Sequence, residues 1–302
     1  MDESVKVAGG VAAGLGSNVA GIPLDRFRIM VAQDAAMATP LAGHFRTTMS
    51  SLSAAFTGGV ARIAMKGTAA SLNLFTPQEM RDTSPFLSNF VCGLTFAPVL
   101  NAPRMLQLAK INGESYGSAS RRLFTTAAGW RTFAQNTALF APGEALRMMM
   151  CFGTKDFLKP LVSSSYSEPA TDAGSVLRRA AWLSAMVGPM VSVVETSAEL
   201  ATETASTVHA QLSAVGAGGL HPQEARTQVL ASVLRPQYIS RCWLALLTKN
   251  MAANTITFFF MFWADEYGAM RLAVAKEGGA QDGTRSSPVM PRELIGVTPS
   301  TA

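Results

Sequence analysis

The stretch Gly21–Met30, GIPLDRFRIM, sets a proline, an acid and two arginines inside what otherwise reads as one apolar helix over about residues 5–36. Pro23 has no N–H to give the helix ladder, and a helix bends where such a residue sits. Asp25 and Arg28, three residues apart, fall one turn apart on nearly the same face, where each can meet an opposite charge on a neighbouring helix. Charges at membrane depth persist when they are paired or wet. The stretch therefore reads as the end of a membrane helix whose charged face looks inward.

The composition agrees with that reading. Of 302 residues 48% are hydrophobic and only 15% charged, with a mean hydropathy of +0.21, whereas soluble domains carry roughly 25% charged residues. Five further stretches, about 50–82, 84–112, 128–159, 174–206 and 240–274, are apolar and poor in charge. Each is long enough for a hydrocarbon core of roughly 30 Å, which takes about 20 helical residues. They are rich in Gly, Ala and Ser, as suits helices that pack closely or line a wet interior. Between them lie polar connections at 37–49, 81–84, 111–122, 159–174 and 207–239. The last contains HPQEARTQVLASVL (221–234), where Pro222, Gln223 and Glu224 open a short amphipathic helix. The tail Glu277–Ala302, rich in Gly, Ser, Thr and Pro, looks unable to fold alone and is expected to be extended and held by a partner.

Several function classes fall away. The net charge is +5, but Lys and Arg are scattered singly, which argues against nucleic acid. Cys92, Cys151 and Cys242 lie far apart, and His44, His209 and His221 lack ligand spacing, so neither a disulfide framework nor a metal site is indicated. No nucleophile pairs with a histidine, and no catalytic residue is assigned. The glycines of VAGGVAAGLGSNVAG (7–21) have no preceding strand and no following Lys-Ser/Thr, so they read as a packing seam rather than a nucleotide loop. The beginning, MDESVKVAGG, carries two acids and resembles neither a transit nor a signal peptide, so targeting information is expected inside the chain.

Six helices can be three pairs, and the second, fourth and sixth stretches end alike: SLNLFTPQEMRD (71–82), PGEALRMMMCFGTKDFLK (142–159) and AANTITFFFMFWADEY (252–267). On these endings and on Pro23-Leu24-Asp25-Arg26-Phe27-Arg28, the chain resembles the mitochondrial carrier family. That family has three repeats of about a hundred residues, each with a PxDxxK/R signature at the matrix end of its odd helix. The resemblance implies an all-α membrane protein with six transmembrane helices in three pseudo-symmetric two-helix repeats. They are placed at 1–83, 84–165 and 166–276, with short helices in the odd-to-even loops and the tail at 277–302. It implies the inner mitochondrial membrane, no cofactor, and bound phospholipid such as cardiolipin.

The family pattern is thinned here. In the preferred register the second signature, Pro103-Arg104-Met105-Leu106-Gln107-Leu108, keeps only its proline, and the third, Ser197–Thr202, keeps only Glu199. A rival register takes Pro142-Gly143-Glu144-Ala145-Leu146-Arg147 as the second signature, with a broken third at Pro236 and Arg241, and leaves too little chain after Pro236. Pro23, Asp25, Arg28, Pro103 and Glu199 are thus the remains of a matrix gate. At the opposite gate Glu79, Asp156 and Lys159 remain, of which only Asp156 and Lys159 have the spacing to pair; Asp265 and Glu266 have no base at that spacing. The aromatic-basic-glycine step before even helices survives in part as Met65-Lys66-Gly67 and Trp130-Arg131-Thr132. Lys66 and Lys249 sit near the depth where the family binds substrate, and with Arg147 they are the candidate substrate residues. The run Thr257–Trp263 reads equally as a partner-facing surface or as a lipid-facing helix with Trp263 and Tyr267 at the interface, and Met148–Met150 as adaptable packing.

Two functions follow from the resemblance. One is a divergent carrier exchanging a small anionic metabolite by alternating access. The other keeps the fold without transport, as an accessory subunit of a respiratory-chain complex, and the degenerate gates favour it.

Overall fold

The computed structural model describes residues 3–34, 36–50, 59–111, 113–165, 170–216, 231 and 234–283. Among them the protein is all-α, without strands. The first long body is α1 (Glu3–Gln33), followed by the short α2 (Leu41–Ser50). The second is α3 (Gly59–Phe75), with the one-turn α4 (Gln78–Thr83) after it. The third joins α5 (Pro85–Thr95) to α6 (Ala97–Ile111), and the short α7 (Tyr116–Phe124) follows. The fourth is α8 (Ala127–Met148), a π-helical turn (Met149–Gly153) and α9 (Thr154–Ser163) in one run. The fifth and sixth are α10 (Ala173–Gly216) and α11 (Pro236–Gly283).

Local chemistry explains the punctuation. Ser115 Oγ accepts the Ser118 N–H at 3.1 Å and Thr126 Oγ1 accepts the Gly129 N–H at 2.9 Å, which starts α7 and α8. The third body bends by 60° between Thr95 and Ala97. Pro98 is the cause: it cannot donate to the Leu94 carbonyl, and its ring crowds that oxygen. The bend therefore sits away from Pro103, which lies within an unbroken α6, just as Pro23 lies within an unbroken α1.

Each body packs on the next, and α11 packs back on α1, so the six form a closed ring. Asn254 reaches Ser192 and Asn250 reaches Thr196, which makes α10 and α11 antiparallel. The glycine-rich start of α1 is the tightest seam. A Cβ on Gly14 would stand 2.8 Å from both Gly67 Cα and the Ile63 carbonyl oxygen, so the two helix backbones touch. At one end of the ring lie the start of α1, α4 and the ends of α9 and α11; at the far end lie α2, α7 and the start of α11.

The distribution of polarity is inverted relative to a water-soluble bundle. Arg81, Glu144, Lys155, Asp156, Glu195 and Lys249 are buried, while Val7, Val11, Leu15 and Val19 form an exposed stripe along α1, and Trp182, Met186, Met190 and Val193 another along α10. Even so, only Glu3–Ala32, with mean hydropathy 1.3, is by itself long and apolar enough to cross a membrane among the described residues; Pro85–Thr95 with Ala97–Gln107 adds a second when counted as one bent segment. Six such segments are expected from the sequence; the described residues give one, or two with the bent segment.

Two other expectations change. Phe258, Met261 and Phe262 are fully buried, so half of the aromatic run is core, because α11 is wedged between α1 and α10. Helix α11 also continues to Gly283, through the first residues of the expected extended tail; residues 284–302 lie outside the described ones. The short helix expected at 221–234 also lies almost wholly outside them, as does His221, and His209 is described only as part of a helix.

Candidate functional site

In a six-membered ring, alternate helices are separated by a neighbour, so side chains of the second, fourth and sixth bodies that meet must do so across the interior. They meet at two levels.

At the end where α1 begins, Lys159 on α9 reaches Asp265 on α11 at 2.8 Å. Arg81 on α4 stands 3.6 Å from both Asp156 and Asp265. Lys155, wholly buried, contacts Asp156 at 2.9 Å and donates to Asn73 Oδ1 at 2.6 Å. Asn73 and Asn89 both donate to Asp156, at 3.0 and 3.1 Å, and Asn73 also donates to Asn89. Just outside, Arg179 pairs with Glu266 at 2.9 Å across α10 and α11. This layer ties five of the six bodies, with every named charge partnered. The pairing differs from that expected: Lys159 bonds Asp265 rather than Asp156, and Glu79 is exposed and outside the network. The reason is geometric. Asp156 and Lys159 share one helix face, but a straight line across the ring brings α11 to Lys159 and α4 to Asp156.

At the centre, Lys66 of α3 lies within electrostatic reach of Arg147 of α8, Glu195 of α10 and Lys249 of α11. The other two candidate substrate residues, Arg147 and Lys249, one from each remaining even body, are thus coupled electrostatically to Lys66. Two of these bases have an acid beside them. Arg147 forks onto Glu144 through Nε and Nη2; Lys249 donates to Glu199 at 2.6 Å, and Asn250 to the same carboxylate at 3.0 Å. Glu195 accepts from Asn254 at 2.6 Å. Arg147 and Glu199 keep 24% and 27% of their side chains accessible, whereas Asp156 and Asp265 in the first layer keep 2% and 6%. The π-helical turn begins two residues after Arg147, a local widening of the ladder of the kind that clusters at working sites.

At the far end, Asp25 and Arg28 pair within α1 at 3.0 Å, and Arg28 is within electrostatic reach of Glu199. The proline of the second signature brings no charge; instead Arg104 lies over the Phe140 ring, 4.5 Å from its centroid. The corner is tied by Asp34, which accepts from the Ala38 and Thr39 N–H groups and contacts His44 Nε2 at 3.0 Å. The Thr39 N–H first, then His44, hold this carboxyl down at about 2. Tyr238 Oη donates to the Ala32 carbonyl at 2.5 Å and Arg241 donates to the Thr39 carbonyl at 2.6 Å.

Arg81, Lys155, Asn73, Asn89 and Glu195 carry this site without having been singled out from the sequence. Lone asparagines in otherwise charge-free helices are the signal that was there to read, since a buried amide needs partners. Among the described residues no group of three or more His, Cys, Asp and Glu is placed to hold a metal. Compared with protein-family models, with curated proteins and with solved structures, the chain matches none.

Proposed function

We propose that this chain is a carrier-like protein of the inner mitochondrial membrane that moves a small charged solute through the centre of its six-helix ring by alternating access. The observation that carries the reading is the pair of charged layers inside the ring: a fully paired layer at one end, and at the centre charges that keep accessible surface. A barrier at one end beside a reachable site is what a solute path needs in one of its two states. Membrane embedding is supported by the inverted polarity, because exposed apolar stripes of this extent on a monomer need a covering.

The second reading is an accessory subunit of a respiratory-chain complex, with the ring kept as architecture and lipids such as cardiolipin around it. It is favoured by the missing signature charges at Met105 and Leu108, where the family resemblance implies a matrix salt-bridge network. Purified protein reconstituted into loaded liposomes separates the two. Saturable counter-exchange that Lys249→Ala lowers by tenfold or more supports the carrier. Absence of exchange for any solute, with stoichiometric co-migration in a large complex after mild solubilisation, supports the subunit.

A further inference from the structure

Among the described residues one π-helical turn occurs, Met149–Gly153, and it separates α8, with Glu144 and Arg147, from α9, with Lys155, Asp156 and Lys159. Such a turn is an α-helix holding one residue more than its ladder needs. The extra residue sets the phase of α9. With it, Asp156 stands 3.6 Å from Arg81 and Lys159 stands 2.8 Å from Asp265. If the turn relaxed to α-helix with α8 in place, α9 would rotate by about 100° and shift by about 1.5 Å. Every place on α9 would then be filled by the residue one earlier in the chain. We propose that the π turn is the hinge of the paired layer, which opens as the turn relaxes and α9 rotates by one residue.

The two states exclude each other. After the rotation Lys155 stands where Asp156 stood, so Arg81 faces a base, and Leu158 stands where Lys159 stood, so Asp265 loses its lysine. The ion pairs of the closed layer therefore hold the irregular turn, and the regular turn breaks the ion pairs, which gives the element two discrete arrangements. Packing links this to the ring. A Cβ on Gly153 would stand 2.9 Å from Phe86 Cδ1, 3.1 Å from Phe86 Cα and 3.2 Å from the Pro85 carbonyl oxygen. The rotation brings Phe152 to that place, so the turn relaxes only as α5 draws away from it. Loss of the ion pairs and parting of the third and fourth bodies are then one event. The inference rests on the carrier reading for what the opening serves, while the hinge itself needs no solute.

The test uses the full-length protein with Cys92, Cys151 and Cys242 replaced by serine and Ser192→Cys, buried beside Asn254, as reporter. In liposomes a membrane-impermeant maleimide is applied from the side where α1 begins. Asp265→Asn should raise the labelling rate severalfold. Deletion of Met150 removes the extra residue and leaves α8 and α9 in phase. The deleted protein should melt no lower than its parent and lose that rise, labelling at least tenfold more slowly than with Asp265→Asn alone. Gly153→Ala presses on Phe86 in the closed register and should act the other way, raising the rate severalfold. A rate that is the same with and without Met150 overturns the hinge. So does a deleted protein that no longer folds, because the turn then holds no removable residue. Labelling in the expected order, with no solute exchanged in the same liposomes, leaves the hinge standing and removes the carrier reading.

Discussion

Single side chains in this ring differ sharply in what they hold. Asp156 meets Arg81, Lys155, Asn73 and Asn89. Removing it leaves the wholly buried Lys155 without a carboxylate while Arg81 keeps Asp265, so Asp156→Ala should cost about 3–5 kcal/mol, read as a lower melting temperature in detergent. Glu79, three residues before Asp82 on an exposed turn, should change stability by less than about 0.5 kcal/mol when truncated. Asp34 provides a pH test. Its carboxyl titrates at about 2 when folded, below its ordinary 3.8, so its contribution is fully present above pH 4 and is lost as pH falls through 2. Melting of Asp34→Asn and the unmutated protein should therefore differ at pH 5–7 and converge near pH 2; a difference that grows on acidification would contradict the assignment.

Among the helices, α1 is the one whose sequence states its packing. VAGGVAAGLG lets the backbone of α1 touch α3 at Gly14 and Gly67, and a larger residue there has no direction in which to go. Gly14→Leu should cost about 1–3 kcal/mol or prevent folding, while Gly117→Ala, with nothing within 4 Å of the new Cβ in the exposed α7, should be neutral or stabilising by up to about 1 kcal/mol. The third body makes the opposite point. Its two internal prolines, Pro98 and Pro103, look equally able to kink a helix in the sequence, yet the bend lies at Pro98. A proline near a helix start forgoes an N–H that needs no partner, so a break there lets α6 restart cleanly.

For the molecule as a whole, the closed layer predicts sidedness. Cys151 lies beside Asn254 in the centre, 3% exposed. In a protein with Cys92 and Cys242 replaced by serine, a membrane-impermeant maleimide applied from the side where α1 begins should label Cys151 slowly. Asp265→Asn, which weakens the hold on Lys159 and Arg81, should raise that rate severalfold. Equal labelling before and after the substitution would show that this layer is no barrier.

The amino-acid sequence alone determined the helical class, the approximate span of the long helical bodies and the glycine seam, while the short helices expected in the odd-to-even loops took their bounds, 41–50 and 116–124, from the structure. These rest on local properties: apolar runs, capping residues, prolines and small side chains. The choice of Lys66, Arg147 and Lys249 came instead from the family resemblance. Only the tertiary structure decided which charge meets which. That Lys159 bonds Asp265 across 106 residues, that Arg81 stands between two aspartates, and that Lys249 meets Glu199 depend on rotation of the bodies about their axes. That rotation is set by packing around the closed ring and leaves no mark at fixed spacing in the chain. Residue spacing reports neighbours one helical turn away, whereas the partners in this ring are a helix diameter away.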